Sequence, residues 1–400
     1  MTLTSTTAVI AASPASPPVG GRLLDLPPSG TMAIGAVVRG LRSEGVNVIS
    51  LGGGMAEPDA PWLRDPIQFP ADRNVGSDPA GEADLRAALA AKLGRDLGLA
   101  YDPATEIVVT TGAKQAVLPI LLSVIEPGDE VLVLDPCWVT YAPAVQLAGG
   151  VARCVPMRYD GGFRLDADAL AARVTSKTRA MILNSPHNPT GRVFTTEELV
   201  AASSVACANN LWVLSDESFE KFVFDGHRHL SIAALDGMRD RTAVIQSFSK
   251  GFALPGARVG YLAAPEPLCR SVTRFNEHVT TCVSPLMQSV ALAALKDEAE
   301  WSDLLLAHYR EKRDVAHEAL ARVPGLRFTP AEGGFYAFVD ITAHGISSKE
   351  FTARLLETAR VAVTAGTAFG DGGEGYVRIN LVGPISDIQE GLRRMHEALA

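Results

Sequence analysis

The chain has 400 residues and 47% hydrophobic content, enough to bury a large core and, at this length, to form two domains. Its formal net charge is −9 and its Lys and Arg residues are not clustered, which argues against a nucleic-acid-binding surface. Residues 1–30 are rich in Ala, Ser, Thr and Pro and lack the basic start of a signal peptide, so they read as a mobile arm. From about residue 105 to 265, short β-rich runs alternate with helical patterns. "EIVVTTG" (106–112) leads into "AKQAVLPILLSVI", "EVLVLDP" (130–136) precedes an Ala-rich helix, and "RAMILNSP" (179–186) precedes "TEELVAASSVACANN". "LWVLSDES" (211–218), "TAVIQSFS" (242–249) and "RVGYLAAP" (258–265) follow. Strands that are apolar throughout, separated by amphipathic helices, predict an α/β fold with a mostly parallel sheet covered on both faces. Such sheets bind ligands at the carboxyl ends of their strands.

A long helical stretch near 300–323 comes next, then "LRFTP", "GGFYAFVDI", a helix over 348–359, "VAVTAG", "GYVRINLV" and a final helix. This order predicts a smaller α+β domain. The expected division is a large domain over 61–299 and a small domain made of 31–60 and 300–400. Cys137, Cys154, Cys207, Cys269 and Cys282 contain no CxxC pair, so neither a disulfide framework nor a zinc site is expected. They read as thiols of a reducing, cytoplasmic compartment. No apolar run reaches the roughly 18 residues of a membrane helix.

The informative polar residues fall just past strand ends. "QSFSKGFALPGARVG" (246–260) gathers Ser247, Ser249, Lys250 and Arg258 where a strand gives way to a loop, although a lysine by itself is ordinarily a solvated surface residue. After "EIVV", the free N–H groups of Gly112, Ala113 and Lys114 at a helix start suit a phosphate; an ordinary capped turn explains the same pattern. "NSPHNPTG" sets Asn184 and Asn188 among prolines, a rigid turn when taken alone. Asp216 ends an apolar strand, either as a cap or as the partner of a buried cation. Trp138 offers a flat apolar face or fills a core. Arg378 in "YVRIN" lies within an apolar strand and needs an anionic partner or an exit to solvent.

One ligand would use all of these groups. It needs a phosphate cradle, an amine that attacks an aldehyde, a carboxylate for a ring cation, an aromatic lid, and an arginine for a substrate carboxylate. That ligand is pyridoxal 5′-phosphate (PLP).

With these motifs in this order from about residue 30 onward, the sequence resembles the class I/II aminotransferases, the fold-type I PLP-dependent enzymes. The resemblance implies that Lys250 forms the Schiff base, that Ser247 and Arg258 bind the phosphate with Ser249 beside them, and that the phosphate rests on the helix start at Gly112, Ala113 and Lys114. It implies further that Trp138 stacks on the ring, that Asn188 bonds the ring's 3′-oxygen, and that Asp216 pairs with the pyridinium. Arg378 would clamp the substrate α-carboxylate, with Asn188 and with Gly53 and Gly54 of "LGGGMAEPD" beside the substrate. A homodimer acting on an amino acid, with no metal, is the family expectation.

Two departures stand out. Phe219 occupies the place, three residues after Asp216, where the family has a tyrosine donating to the 3′-oxygen. Gly76 in "NVGSDPAGEADLR" aligns with the tyrosine that a neighbouring subunit contributes to the phosphate, and no Tyr lies between Trp62 and Tyr101. The "LGGGMAEPD" loop is also longer than the family's. The leading expectation is amino-acid transamination. Its rival is a PLP enzyme of the same scaffold that eliminates, replaces, cyclises or forms a C–C bond, which the opened pocket would suit. A PLP-sensing transcription regulator would need a basic helix-turn-helix domain, and only the Ala/Ser/Pro-rich residues 1–30 precede the fold.

Overall fold

The computed structural model describes residues 21–53, 76–159, 162–296 and 298–400. The first twenty residues of the expected arm, Gly54 and the rest of the long glycine loop lie outside the described residues.

A seven-stranded sheet holds the apolar runs. In spatial order its strands are Ile107–Thr110, Gly260–Ala263, Thr242–Ser247, Trp212–Asp216, Thr178–Asn184, Glu130–Asp135 and Val151–Pro156. Gly260–Ala263 is antiparallel to both neighbours and the other strands share one direction. Successive side chains of a strand point to opposite faces. Val131 and Val133 therefore join Ala116, Val117, Ile120 and Leu121 of the helix Ala113–Val124 on one face. Leu132 and Leu134 join Leu199, Ala202 and Ala206 of the helix Thr196–Ala208 on the other. That second helix starts with a reciprocal cap: Thr195 Oγ1 accepts from Glu198 N, and the Glu198 carboxylate accepts from Thr195 N at 2.8 Å.

The second sheet has the order Arg327–Phe328, Tyr336–Asp340, Tyr376–Asn380, Thr364–Ala365, all antiparallel. Its core packs with the long helix Glu298–Leu320 and the last helix Ile385–Leu399 through Trp301, Leu305, Tyr309, Ile388, Leu392 and Met395. Ile49–Ser50 pairs in parallel with Val361–Ala362, and Asn380 N donates to Leu51 O at 2.7 Å. This lays Gly52 and Gly53 beside the strand that carries Arg378. The segment after Trp212–Asp216 joins the segment before Tyr336–Asp340 where Phe224 N donates to Glu332 O at 2.8 Å, next to a bridge between Val223 and Gly333.

Candidate active site

The shared strand direction brings six carboxyl ends and the start of the reversed strand to one edge of the large sheet. There a cavity of about 380 Å3 opens, lined by Ala113, Lys114, Trp138, Asn188, Asp216, Phe219, Ser247, Ser249, Lys250 and Arg258. These residues span more than a hundred positions of the chain, and the sheet topology is what gathers them.

At one end of the cavity the helix Ala113–Val124 points its first turn inward, with no side-chain cap on its N-terminus. Its first N–H groups have no partner within the helix. Gly112 has φ +79, and a Cβ there would lie 2.6 Å from Arg258 Nη2, so only glycine lets the guanidinium approach the helix start. A Cβ on Gly260 would lie 2.5 Å from Ala113 N, which closes the same position to any larger residue. Ser247 caps the short helix Phe248–Gly251 by accepting from Ser249 N at 3.0 Å. Lys114 has its ammonium 5.1 Å from the Trp138 ring centre. Burial and then the nearby Arg258 lower the Lys114 pKa, as expected for two cations held together in want of an anion.

At the other end Asp216 is buried. Tyr141 Oη donates to its Oδ2 at 2.8 Å and Ser218 N donates to its Oδ1 at 3.1 Å. Burial raises the Asp216 pKa, and the hydrogen bonds from Ser218 and Tyr141 oppose that rise. Asn184 donates to Asp216 O at 2.9 Å and accepts from Asn188 N at 2.8 Å, which locks the proline-rich turn onto the strand end. The Lys250 ammonium sits 5.1 Å from the Phe335 ring centre and 5.9 Å from that of Phe219.

Arg378 does not line this cavity directly; it stands behind Asn188. Its Nη1 donates to Asn188 Oδ1 at 2.9 Å and its Nη2 to Gly52 O at 3.3 Å. The guanidinium carbon lies 4.3 Å from the Tyr336 ring centre and 4.6 Å from that of Phe369, so two aromatic faces hold it. Burial lowers its pKa, and its Nε is buried without a hydrogen-bond partner among the described residues. A desolvated cation with an orphaned donor suits an incoming carboxylate. Gly53 O accepts from Ser50 Oγ at 3.5 Å on the same side.

Tyr141, Ser218, Pro255 and Tyr336 also line the cavity and were not singled out as site residues from sequence. Tyr141 lies three residues after Trp138 and Ser218 two after Asp216, so proximity to a marked residue was the available signal. Tyr336 in "GGFYAFVDI" reads as a core aromatic of a strand.

The donor set fits PLP: two cations and a helix start for a phosphate, a buried carboxylate opposite, a lysine between them, and a carboxylate-seeking arginine beyond. Fold and site together define a fold-type I PLP-dependent enzyme. The family described as aminotransferase class I and II matches residues 61–395. The aromatic-amino-acid aminotransferase 2 of Thermococcus litoralis is 39% identical over 357 residues, covering 88% of this chain and 92% of that protein. The aspartate aminotransferase of Pyrococcus abyssi is 39% identical over 358 residues, covering 88% and 92%. The solved structure of the Thermus thermophilus aspartate aminotransferase with maleate superposes with a TM-score of 0.90 at 31% identity, covering 96% of this chain and all of that one. The chain belongs to the class I and II aminotransferases, PLP-dependent transferases that act on amino acids. These relatives do not favour the elimination, replacement or C–C-forming alternative.

Proposed function

We propose that this protein exchanges the amino group of an α-amino acid for the oxo group of a 2-oxo acid at the cavity around Lys250. The observation that carries the reading is the convergence of Lys250, Asp216, the Lys114–Arg258 pair and Asn188, backed by Arg378, on one site. Bound PLP supplies an aldehyde that takes up the amino group and a protonated ring that draws electron density from the α-carbon. Ser247, Ser249, Arg258, Lys114 and the N–H groups at Gly112 and Ala113 hold its phosphate. Trp138 covers one face of the ring. Asp216, as carboxylate, holds the ring nitrogen protonated, and Asn188 donates to the ring oxygen. Lys250 Nζ anchors the cofactor and, once released, takes the proton from the substrate Cα. Arg378 fixes the substrate carboxylate, with Gly53 flanking it.

The division into a large domain over 61–299 and a small domain of 31–60 with 300–400 is part of the same proposal; the pairing of Ile49–Ser50 with Val361–Ala362 supports it. So is a homodimer in the cytoplasm. Exposed Leu23, Leu24, Met32 and Val37 near the N-terminus support an assembly that covers them. No described helix is long and apolar enough to cross a membrane.

The test is borohydride reduction of the PLP-loaded protein followed by peptide mass analysis. The cofactor is expected on Lys250, and Lys250→Ala should lose both the adduct and amino transfer. An adduct elsewhere, or full transfer by the variant, would overturn the reading. Light scattering should give twice the chain mass.

A further inference from the structure

Phe219 sits where a phenol is expected, three residues after Asp216, and its ring faces the Lys250 ammonium. Phenylalanine cannot donate a hydrogen bond. A phenol is nevertheless present at this spot. Tyr336, the first residue of the strand Tyr336–Asp340, packs its ring against Phe219 with ring centres 5.6 Å apart and near-perpendicular planes. It lines the same cavity and is only 5% exposed. Its hydroxyl makes no hydrogen bond among the described residues. Its ring is buried while its oxygen keeps access to the cavity, so a bound ligand can take the place of water as acceptor.

The neighbours say which acceptor. The Tyr336 ring touches Phe219. It also touches Arg378, whose guanidinium lies over the Tyr336 ring and donates to Asn188. Asn188 and position 219 are the two places assigned to the cofactor's ring oxygen, and Tyr336 lines the same cavity in contact with Phe219 and with the arginine bound to Asn188. We propose that the Tyr336 hydroxyl donates to the ring oxygen of bound PLP, supplying from the small sheet the hydrogen bond that Phe219 cannot make. This rests on the cofactor placement proposed above. The residue it replaces comes from the loop after Asp216, on the other sheet, so the phenol has changed elements while keeping its task. The charged groups around it are Arg378 from its partner strand, Asp216 from the large sheet and Lys250 from the short helix Phe248–Gly251. The Arg378 cation favours a negatively charged acceptor beside the phenol.

The experiment follows the visible absorbance of the PLP-loaded protein against pH for the wild type, Tyr336→Phe, Phe219→Tyr and the double variant. A donor to a charged oxygen stabilises the deprotonated chromophore, so its loss should raise the titration midpoint of Tyr336→Phe by about one to two pH units. Adding Phe219→Tyr to that variant should bring the midpoint back towards the wild-type value. A midpoint that does not move in Tyr336→Phe overturns the proposal. So does an unmoved midpoint with a raised KM for every amino acid, which would assign the phenol to the substrate carboxylate. If the wild-type protein retains no PLP chromophore, the cofactor placement itself fails, an outcome distinct from both.

Discussion

Tyr141 carries more of the site's electrostatics than its place in an apolar stretch suggests. In the role proposed for it Asp216 acts as a carboxylate, and burial works against that form. The Tyr141 hydroxyl, 2.8 Å from Oδ2, and Ser218 N, 3.1 Å from Oδ1, divide the task of keeping it charged. Tyr141→Phe removes a hydrogen bond to a charged group, worth about 1.5–3 kcal/mol. The Asp216 carboxyl then protonates at a higher pH, because a lowering influence is gone and burial remains. The acid limb of the kcat profile should move up by about one unit, with kcat on that limb falling by up to about tenfold and KM changing less. Coincident profiles for wild type and variant would show that Ser218 suffices. Lys250, Ser247 and Arg258 were legible because one short segment holds them. Tyr141 was not, since its partner lies 75 residues away and a tyrosine among apolar neighbours reads as core.

The turn after Thr178–Asn184 shows the same logic at the scale of an element. Asn184 ties it to the next strand, and His187 seals its inside: His187 N donates to Arg192 O at 2.7 Å and its Nδ1 lies 2.8 Å from Thr190 Oγ1. Burial, then the Arg192 cation, push the His187 pKa down to about 3. The imidazole is therefore neutral in the folded protein at pH values where the unfolded chain takes up a proton. Its contribution is fully present above the unfolded value near 6.5 and is lost as pH falls from there towards the folded one. Between pH 6 and 5 the wild type should lose up to about 1.4 kcal/mol per pH unit more than His187→Asn, measured by urea unfolding. Parallel curves would mean that the turn opens before His187 is protonated. At the helix that follows, Thr195→Ala should cost about 1 kcal/mol in the same assay, because it breaks the cap shared with Glu198. That cap was readable as Thr195 with Glu198 three residues on. The edge strand Val151–Pro156 was not, because its outer side is solvated: Val151 is 48% exposed, and the polar Arg153 interrupts the apolar run.

Across the whole molecule, one buried ammonium links the parts that the active site borrows from. Lys92, on the helix Ala83–Leu97 and 1% exposed, lies 3.1 Å from Asp96, 3.2 Å from Glu220 and 3.7 Å from Glu298, and donates to Gln246 Oε1 at 2.9 Å. Glu220 follows Phe219, Gln246 precedes Ser247, and Glu298 opens the long helix that packs against the small sheet. Lys221 joins Asp96 and Glu298 at 2.8 and 3.0 Å, and Arg95 also reaches Glu298. Lys92→Met keeps the aliphatic volume but leaves Glu220 buried without its cation, while Glu298 keeps Lys221 and Arg95. Breaking a buried pair from one side costs about 3–5 kcal/mol. Urea unfolding should show a loss of that size, and Glu220→Gln added to Lys92→Met should recover part of it, because the uncompensated charge is then smaller. Since the network braces the segments on either side of Asp216 and Ser247, PLP affinity should fall along with stability in Lys92→Met. A loss under about 1 kcal/mol would place the burden on Lys221 and Arg95 instead. A large loss with unchanged PLP affinity would show that the network supports the fold without steering the site.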